Sequence, residues 1–353
     1  MFYHLATFLK PSLSCFNLIH YISFRAISAM ITTLLFSFLV GDWFIKKSSM
    51  FKAGTREYTP ENHKSKSSTP TMGGIFIITN VIISVLLWCD LTNPKIWIAL
   101  GCLILFGIIG FIDDCRKIKK QRGISAKNKF LYQVTGALII VLSWFIFVHP
   151  ETTLCIPFFK NLNPNLGLFL IPWAIFMIVG YSNAVNLTDG LDGLATSSLI
   201  TNFTTFTIIA YLAGHAKIAS YLHIPFAQTS EIVVFSSALI GACLGFLWYN
   251  TYPAQIFMGD VGSLSLGAVL ALIALMTKQE LLLIISGGLF VAETLSVILQ
   301  VSYFKLTKKR LFRMAPIHHH FELMGWKEST ITVRCGIISI LLALLALITL
   351  KIR

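Results

Sequence analysis

Three short stretches carry the residues best suited to chemistry. "GFIDD" (110–114) ends a long apolar run in two adjacent aspartates, Asp113 and Asp114. "NAVNLTDGLDGL" (183–194) holds Asp189 and Asp192, preceded by Asn183 and Asn186. "FMGDVGS" (257–263) sets Asp260 just before another apolar run. An isolated acid at a helix end is usually a solvated boundary marker. Three clusters flanked by Gly or Asn on apolar segments call for more, because a carboxylate driven to the centre of a membrane helix costs up to about 2.5–3.5 kcal/mol. Neighbouring carboxylates also repel, which raises one pKa unless a cation lies between them. Mg²⁺ suits such a place, since it takes oxygen ligands and keeps positions open for phosphate. The clusters lack EF-hand spacing and the His/Cys ligands that zinc prefers. Asn183 and Asn186 are three apart, as are Asp189 and Asp192, so each pair shares a face if a helix persists; Gly190 and Gly193 make an irregular turn an equal alternative.

Cations and amides accompany these acids. Lys66 precedes "TPTMGG" (69–74), which contains Thr71 and two glycines that allow close backbone approach to a ligand. Lys129 opens a later apolar run. Magnesium-binding acids beside lysines and amides fit a pyrophosphate, whose transfer is largely positioning and charge neutralisation. "APIHHHFE" (315–322) adds His318, His319 and His320, and its internal position after Pro316 argues against a purification tag. These rings can donate to phosphate oxygens or ligate a metal. The other histidines are dispersed and receive no assignment.

The elements that must position these groups are membrane helices. Of 353 residues, 56% are hydrophobic and 12% charged, about half the roughly 25% charge of soluble chains. Mean hydropathy is +0.76. Long continuous apolar runs predict an all-α integral membrane protein with about ten transmembrane helices rather than a barrel. The spans fall near 24–45, 72–89, 95–112, 130–148, 168–186, 192–213, 232–249, 261–277, 281–304 and 331–350. Loops 1–2, 3–4 and 9–10 hold nineteen Lys and Arg, whereas loops 2–3, 4–5, 6–7 and 8–9 hold one each, Lys95, Lys160, Lys217 and Lys278. The positive-inside bias puts the first set in the cytoplasm and both termini outside. All three acidic clusters then lie on the cytoplasmic face. The net charge of +13 reads as loops facing anionic lipid, with no nucleic-acid partner. Seven cysteines without a CxxC pair read as free thiols. The N-terminus shows no cleavable-signal pattern, and no internal repeat appears, so one polytopic domain is expected. Cytoplasmic loops about 46–71, 113–129, 187–191, 250–260 and 305–330 would form its active site. Within span 9, Glu293 reads as a helix–helix contact, and Gln300, nearer the cytoplasm, as the better candidate for touching substrate.

The stretches "STPTMGG", "GFIDD", "YSNAVNLTDGLDGL", "FLWYNTYPAQIFMGDVGS", "ETLSVILQV" and "FRMAPIHHHFE" together resemble the phospho-N-acetylmuramoyl-pentapeptide-transferase family, part of the polyprenyl-phosphate N-acetylhexosamine-1-phosphate transferases (glycosyltransferase family 4). The likeness runs from about residue 20 to the C-terminus in one consistent order. Its most specific part is the histidine stretch. Departures are modest: Cys115 follows the aspartate pair where an aromatic residue is usual, and Tyr181-Ser182 replaces small residues before Asn183.

The resemblance implies a Mg²⁺-dependent enzyme of the bacterial cytoplasmic membrane. It would move phospho-MurNAc-pentapeptide from UDP-MurNAc-pentapeptide to undecaprenyl phosphate, releasing UMP and giving lipid I for peptidoglycan, and it would be a homodimer. Carried over by motif, Asp260 is the metal ligand with Asp114 as a second, Asp113 and Asp114 serve the reacting phosphates, and His319 joins the catalytic set. Lys66, Thr71, Lys129, Asn183, Asn186, Asp189, Asp192, Asn250, Phe257, Gln300, His318 and His320 would line the substrate site, with Phe257 able to stack on uracil. Two rival readings predict different residues. A sister enzyme transferring a HexNAc-1-phosphate should lack "PIHHHFE". A secondary transporter would favour midplane ionisable groups and paired repeats.

Overall fold

The structure is a computed structural model that describes residues 1–9, 14–48, 69–120, 122–159 and 162–351. A short helix α1 (Phe2–Leu9) and a 3-10 turn (Ser14–His20), neither expected from the sequence, precede α2 (Ile22–Ser48). Long helices follow: α3 (Gly73–Trp88), α4 (Pro94–Lys120), α5 (Ala126–Val148), α6 (Leu170–Thr188) and α7 (Leu194–Ala213). After the short α8 (Ala216–Leu222) come α9 (Ser230–Asn250), α10 (Gly259–Met276), α11 (Glu280–Ser286), α12 (Gly288–Thr307), α13 (Ile317–Glu322) and α14 (Glu328–Thr349). Among the described residues no strand forms, and Thr153 and Asn165 pair in an isolated antiparallel bridge.

Among the described residues, eight helices are long and apolar enough to cross a membrane, which makes this a multi-pass membrane protein. The expected second and sixth spans are also helical. They fall short because α3 has 16 residues and α7 is diluted with Thr, Ser and Asn. The Ser and Thr hydroxyls of α7 mostly bond back to carbonyls one turn earlier, as Thr205 does to Thr201, so their polarity is absorbed within the helix.

The expected continuous span 281–304 is corrected: α11 stops at Ser286 and α12 restarts at Gly288. Helix-breaking glycines are tolerated in membrane helices where a neighbour satisfies the freed backbone. Here the Leu283 carbonyl accepts from the Gly287 N–H and from the Tyr181 hydroxyl of α6, both at 2.8 Å. The histidines lie, as expected, in the connection between α12 and α14, where they stand on the short helix α13.

Two helices make the interior. Helix α10 is enclosed along its length and packs on α4 and α6, while α9 packs on α2 and α7. Gly241 and Gly245 form a GxxxG face on α9, where added Cβ atoms would collide with Met30, Thr33 and Ser37 of α2. At the end remote from the acids, Arg25 grips Glu231 with two bonds of 2.8 and 2.6 Å, and the Asp90 N–H donates to the same carboxylate at 2.9 Å. That staple joins α2, the α3–α4 turn and α9.

At this same end Glu280 is fully enclosed. Its nearest cation is Lys278 at 3.8 Å, and neither carboxylate oxygen has a hydrogen bond. Burial therefore pushes its carboxyl from the usual 4.5 up to about 7. The folded state keeps a proton that the unfolded chain has released, so stability falls as pH rises from about 4.5 to about 7 and levels off above. Glu280→Gln removes this loss. Its thermal stability relative to wild type in detergent should rise from pH 5 to pH 8, by on the order of 1–3 kcal/mol; a difference that does not change with pH would contradict the assignment.

Candidate active site

The acids meet because backbones cross closely. An added Cβ on Gly110 of α4 would collide with the Asp260 carbonyl, and one on Gly74 with the Gly262 nitrogen. The Gly73 and Gly74 N–H groups donate to the Phe257 and Met258 carbonyls at 2.9 Å each, and the Phe257 N–H returns a bond to the Pro70 carbonyl at 2.9 Å. Residues 70–74 are thus laced to the segment that leads into Asp260. Gly259 takes φ +70°, with Asp114 Oδ2 where a side chain would begin, so this turn requires glycine. Thr71 is buried beside it.

One carboxylate oxygen from each of Asp113, Asp114 and Asp260 lies within 4.8 Å of the others, a group able to hold a metal ion. All three side chains are buried. Lys117 Nζ stands 2.9 Å from Asp113, 3.3 Å from Asp114 and 2.8 Å from Asp260. Lys129 Nζ contacts Asp113 at 3.2 Å and also pairs with Asp260. Asp113 Oδ1 accepts from the Ile124 N–H at 2.6 Å, which folds the α4–α5 connection back over the acids. Lys117 was counted in the sequence only as loop charge. Its signal was present in the spacing, at i+4 from Asp113 and i+3 from Asp114, once the helix is known to continue to Lys120.

Asn186 Nδ2 donates to Asp260 Oδ1 at 3.1 Å and to Ser263 Oγ at 2.8 Å, joining the cluster. Asn183 turns elsewhere and exchanges bonds of 2.8 and 3.3 Å with Gln133 of α5. Helix α6 ends at Thr188, so Asp189 and Asp192 stand on the irregular turn and share no helix face. Asp189 lies deep among protein atoms although part of its surface reaches solvent. Burial, followed by the charges of Asp260, Asp114 and Asp192, pushes it up to about 7. Asp192 Oδ2 accepts from the Ala254 N–H at 3.0 Å, and Asp192 N–H donates to Glu328 at 2.8 Å. Asn250 links the same two loops: its Oδ1 accepts from the Gly193 N–H and the Thr196 hydroxyl, and its Nδ2 donates to the Ile256 carbonyl. Phe257 is half-buried on the lacing segment.

The three histidines have different surroundings. His318 is buried against Glu293, His319 Nδ1 lies 2.6 Å from Glu322, and His320 Nδ1 accepts from the Arg313 N–H at 3.1 Å. Gln300 Oε1 accepts from the Leu311 and Phe312 N–H groups at 3.1 and 2.8 Å, so it shapes the approach to this helix. A small apolar cluster of Leu191, Leu194, Leu289, Ile331 and Cys335, with Phe321 against it, ties the histidine helix to the Asp189–Asp192 turn. Lys66 lies outside the described residues.

A multi-pass helical membrane protein with buried carboxylates shared between two lysines defines a class, and residues 96–278 match the family model described as Glycosyl transferase family 4. The chain is 54% identical to the phospho-N-acetylmuramoyl-pentapeptide-transferase of Desulfatibacillum aliphaticivorans and 53% identical to that of Syntrophus aciditrophicus (strain SB), each alignment covering 100% of both chains. The protein of the same name from Desulfotalea psychrophila (strain LSv54 / DSM 12343) is 50% identical over the same full coverage. The chain belongs to the phospho-N-acetylmuramoyl-pentapeptide-transferase family and is a transferase.

The crossing at Gly110 gives a direct check. Gly110→Ala should destabilise the protein by about 1–3 kcal/mol and lower turnover at least tenfold by displacing Asp260. Gly101→Ala on the same helix, whose Cβ would make an ordinary 3.5 Å contact with Ile140, should be silent. Thermal denaturation and turnover of the two purified variants separate these outcomes.

Proposed function

We propose that the chain transfers phospho-MurNAc-pentapeptide from UDP-MurNAc-pentapeptide to undecaprenyl phosphate, forming lipid I and UMP at the cytoplasmic face of the bacterial inner membrane. The observation that carries this reading is the convergence of Asp113, Asp114 and Asp260, remote along the chain, on two shared lysines. The charge alternation of the loops supports the cytoplasmic placement. A homodimer belongs to the same proposal, on the family resemblance alone, and mass measurement in a gentle detergent tests it.

The three carboxylates fit Mg²⁺: they are hard oxygen donors, close enough to share one ion, and too few to complete an octahedron, which leaves places for phosphate. Asp260 and Asp114 would hold it, with Asp113 alongside. When bound, the ion supplies neutralisation and orientation of the reacting phosphates. The protein's own groups do the rest. Lys117 and Lys129 hold the acids together beforehand and are the cations nearest an incoming pyrophosphate. Asn186 keeps the Asp260 carboxylate in register. Asp189, Asp192 and Phe257 form the side that would receive the nucleotide, and His319, held through Nδ1 by Glu322, is the histidine that would serve the phosphate oxygens.

Asp113 Oδ1 is taken by a backbone N–H and Oδ2 faces Lys117 at 2.9 Å and Lys129 at 3.2 Å, so Oδ2 accepts a proton from the lipid phosphate once those lysines turn to the incoming phosphates. Direct attack by that phosphate is the preferred route, because a phosphate dianion is already a competent nucleophile. Isolation of a sugar-phosphate adduct on Asp113 or Asp114 without lipid would reverse the preference. A groove of about 700 Å³ on α12 joins Val297, Val301 and Phe304 to Lys305, Lys308 and Arg310, and suits an amphipathic anion such as the acceptor.

Radiolabelled UDP-MurNAc-pentapeptide and undecaprenyl phosphate should give a lipid-linked product only with Mg²⁺, and UDP-GlcNAc should give none. Asp260→Asn should lower turnover at least a thousandfold while the protein stays folded, and Lys117→Met at least a hundredfold, in line with loss of charged transition-state contacts. Full activity of Asp260→Asn would remove the metal assignment.

A further inference from the structure

Glu293 has no part in the transfer described so far. Its side chain and that of His318 are completely enclosed, and His318 Nδ1 lies 3.1 Å from Glu293 Oε2, an ion-pair distance. The same oxygen accepts from the His318 backbone N–H at 3.4 Å. A carboxylate enclosed among apolar helices is costly unless a donor or cation answers it; here one backbone N–H donates to it and the imidazole lies at ion-pair distance without a hydrogen bond, while Glu293 Oε1 has no donor. The far side of the ring is equally constrained. A Cβ on Gly190 would collide with His318 Nε2, so the imidazole rests against the turn that bears Asp189 and Asp192. The His319 ring lies against the same imidazole, with centroids 4.2 Å apart.

The ring is therefore held between an acid of α12, the acidic turn and the next histidine. We propose that Glu293 is a positioning residue: by fixing His318 as a rigid spacer, it sets the distance between His319 and the Asp189–Asp192 turn. The inference rests on the transfer reading, which gives those two elements their contact with the donor. A purely structural staple would hold α13 to α12 just as well and would leave turnover per folded molecule unchanged. A positioning role couples Glu293 to kcat through His318.

The test uses the full-length protein in detergent and compares Glu293→Gln, His318→Gln and the double variant, with rates normalised to folded protein. Each single variant should lose at least about tenfold in kcat with donor KM within about threefold, and the double variant should be no worse than the poorer single. Glu280→Gln, a similarly enclosed acid at the opposite end, is the control and should stay within about twofold of wild type. Near wild-type kcat per folded Glu293→Gln molecule overturns the inference, as does a multiplicative loss in the double variant. If Glu293→Gln does not fold, Glu293→Asp carries the same expectation, because the shorter acid cannot reach the ring unchanged; normal kcat there overturns it equally. A wild-type protein that makes no lipid-linked product would instead sink the transfer reading.

Discussion

Three carboxylates crowded at the end of two membrane helices are the constraint around which the rest of the molecule is arranged. Like charges this close inside protein repel strongly unless cations answer them. Lys117 and Lys129 supply that answer, and each touches more than one acid. The arrangement is stable while waiting and still chemically open, because a lysine is a single flexible cation that can swing from carboxylate to phosphate. An arginine fork locked onto one acid would be harder to redirect.

Crowding of that kind needs a stiff frame, and the helices supply it through small residues rather than bulk. Gly74, Gly110 and Gly262 let α3, α4 and α10 touch backbone to backbone, which fixes Asp260 relative to Asp114 more tightly than side-chain packing could. In a membrane the solvent is as apolar as leucine, so close approach and dispersion replace the hydrophobic effect as the glue between helices. The GxxxG face of α9 against α2 follows the same rule away from the site. Arg25 and Glu231, at the remote end, use a two-bond ion pair for the purpose.

Much of this was legible in the sequence. Apolar runs located the helices, and Asp113, Asp114 and Asp260, singled out by their flanking residues, lie together in the fold. What escaped had physical causes. The apolar run of α4 stops at residue 112, and the helix expected from it stops there too; the backbone continues to Lys120, about two turns further, which brings Lys117 onto the acids. The break at Gly287 was hidden because its neighbours are apolar, and the donor that permits it, Tyr181, comes from another helix. Asn183, Asn250 and Gln300, expected to touch substrate, also serve the fold. Their partners are long-range or backbone groups that no local pattern reveals.

The two halves of the site are held by different forces, and this bears on how they can work together. The carboxylates are set by backbone contacts that have little freedom to yield. The histidine helix is set by side chains: Gln300 and Arg313 at its approach, Glu293 beneath it, and one small apolar cluster at its back. The contacts of Gln300 and Arg313 at the approach can be remade at modest cost, whereas the enclosed Glu293–His318 pair and the interpenetrating backbones cannot. A donor carrying a nucleotide, a sugar and a peptide on a pyrophosphate reacts only at the pyrophosphate, where placement matters most. In the proposed transfer the rigid carboxylate cluster is suited to those reacting charges, and the approach to the histidine helix to the rest. The turn that bears Asp189 and Asp192 is where the two meet, since it lies within the field of Asp260 and against the ring of His318.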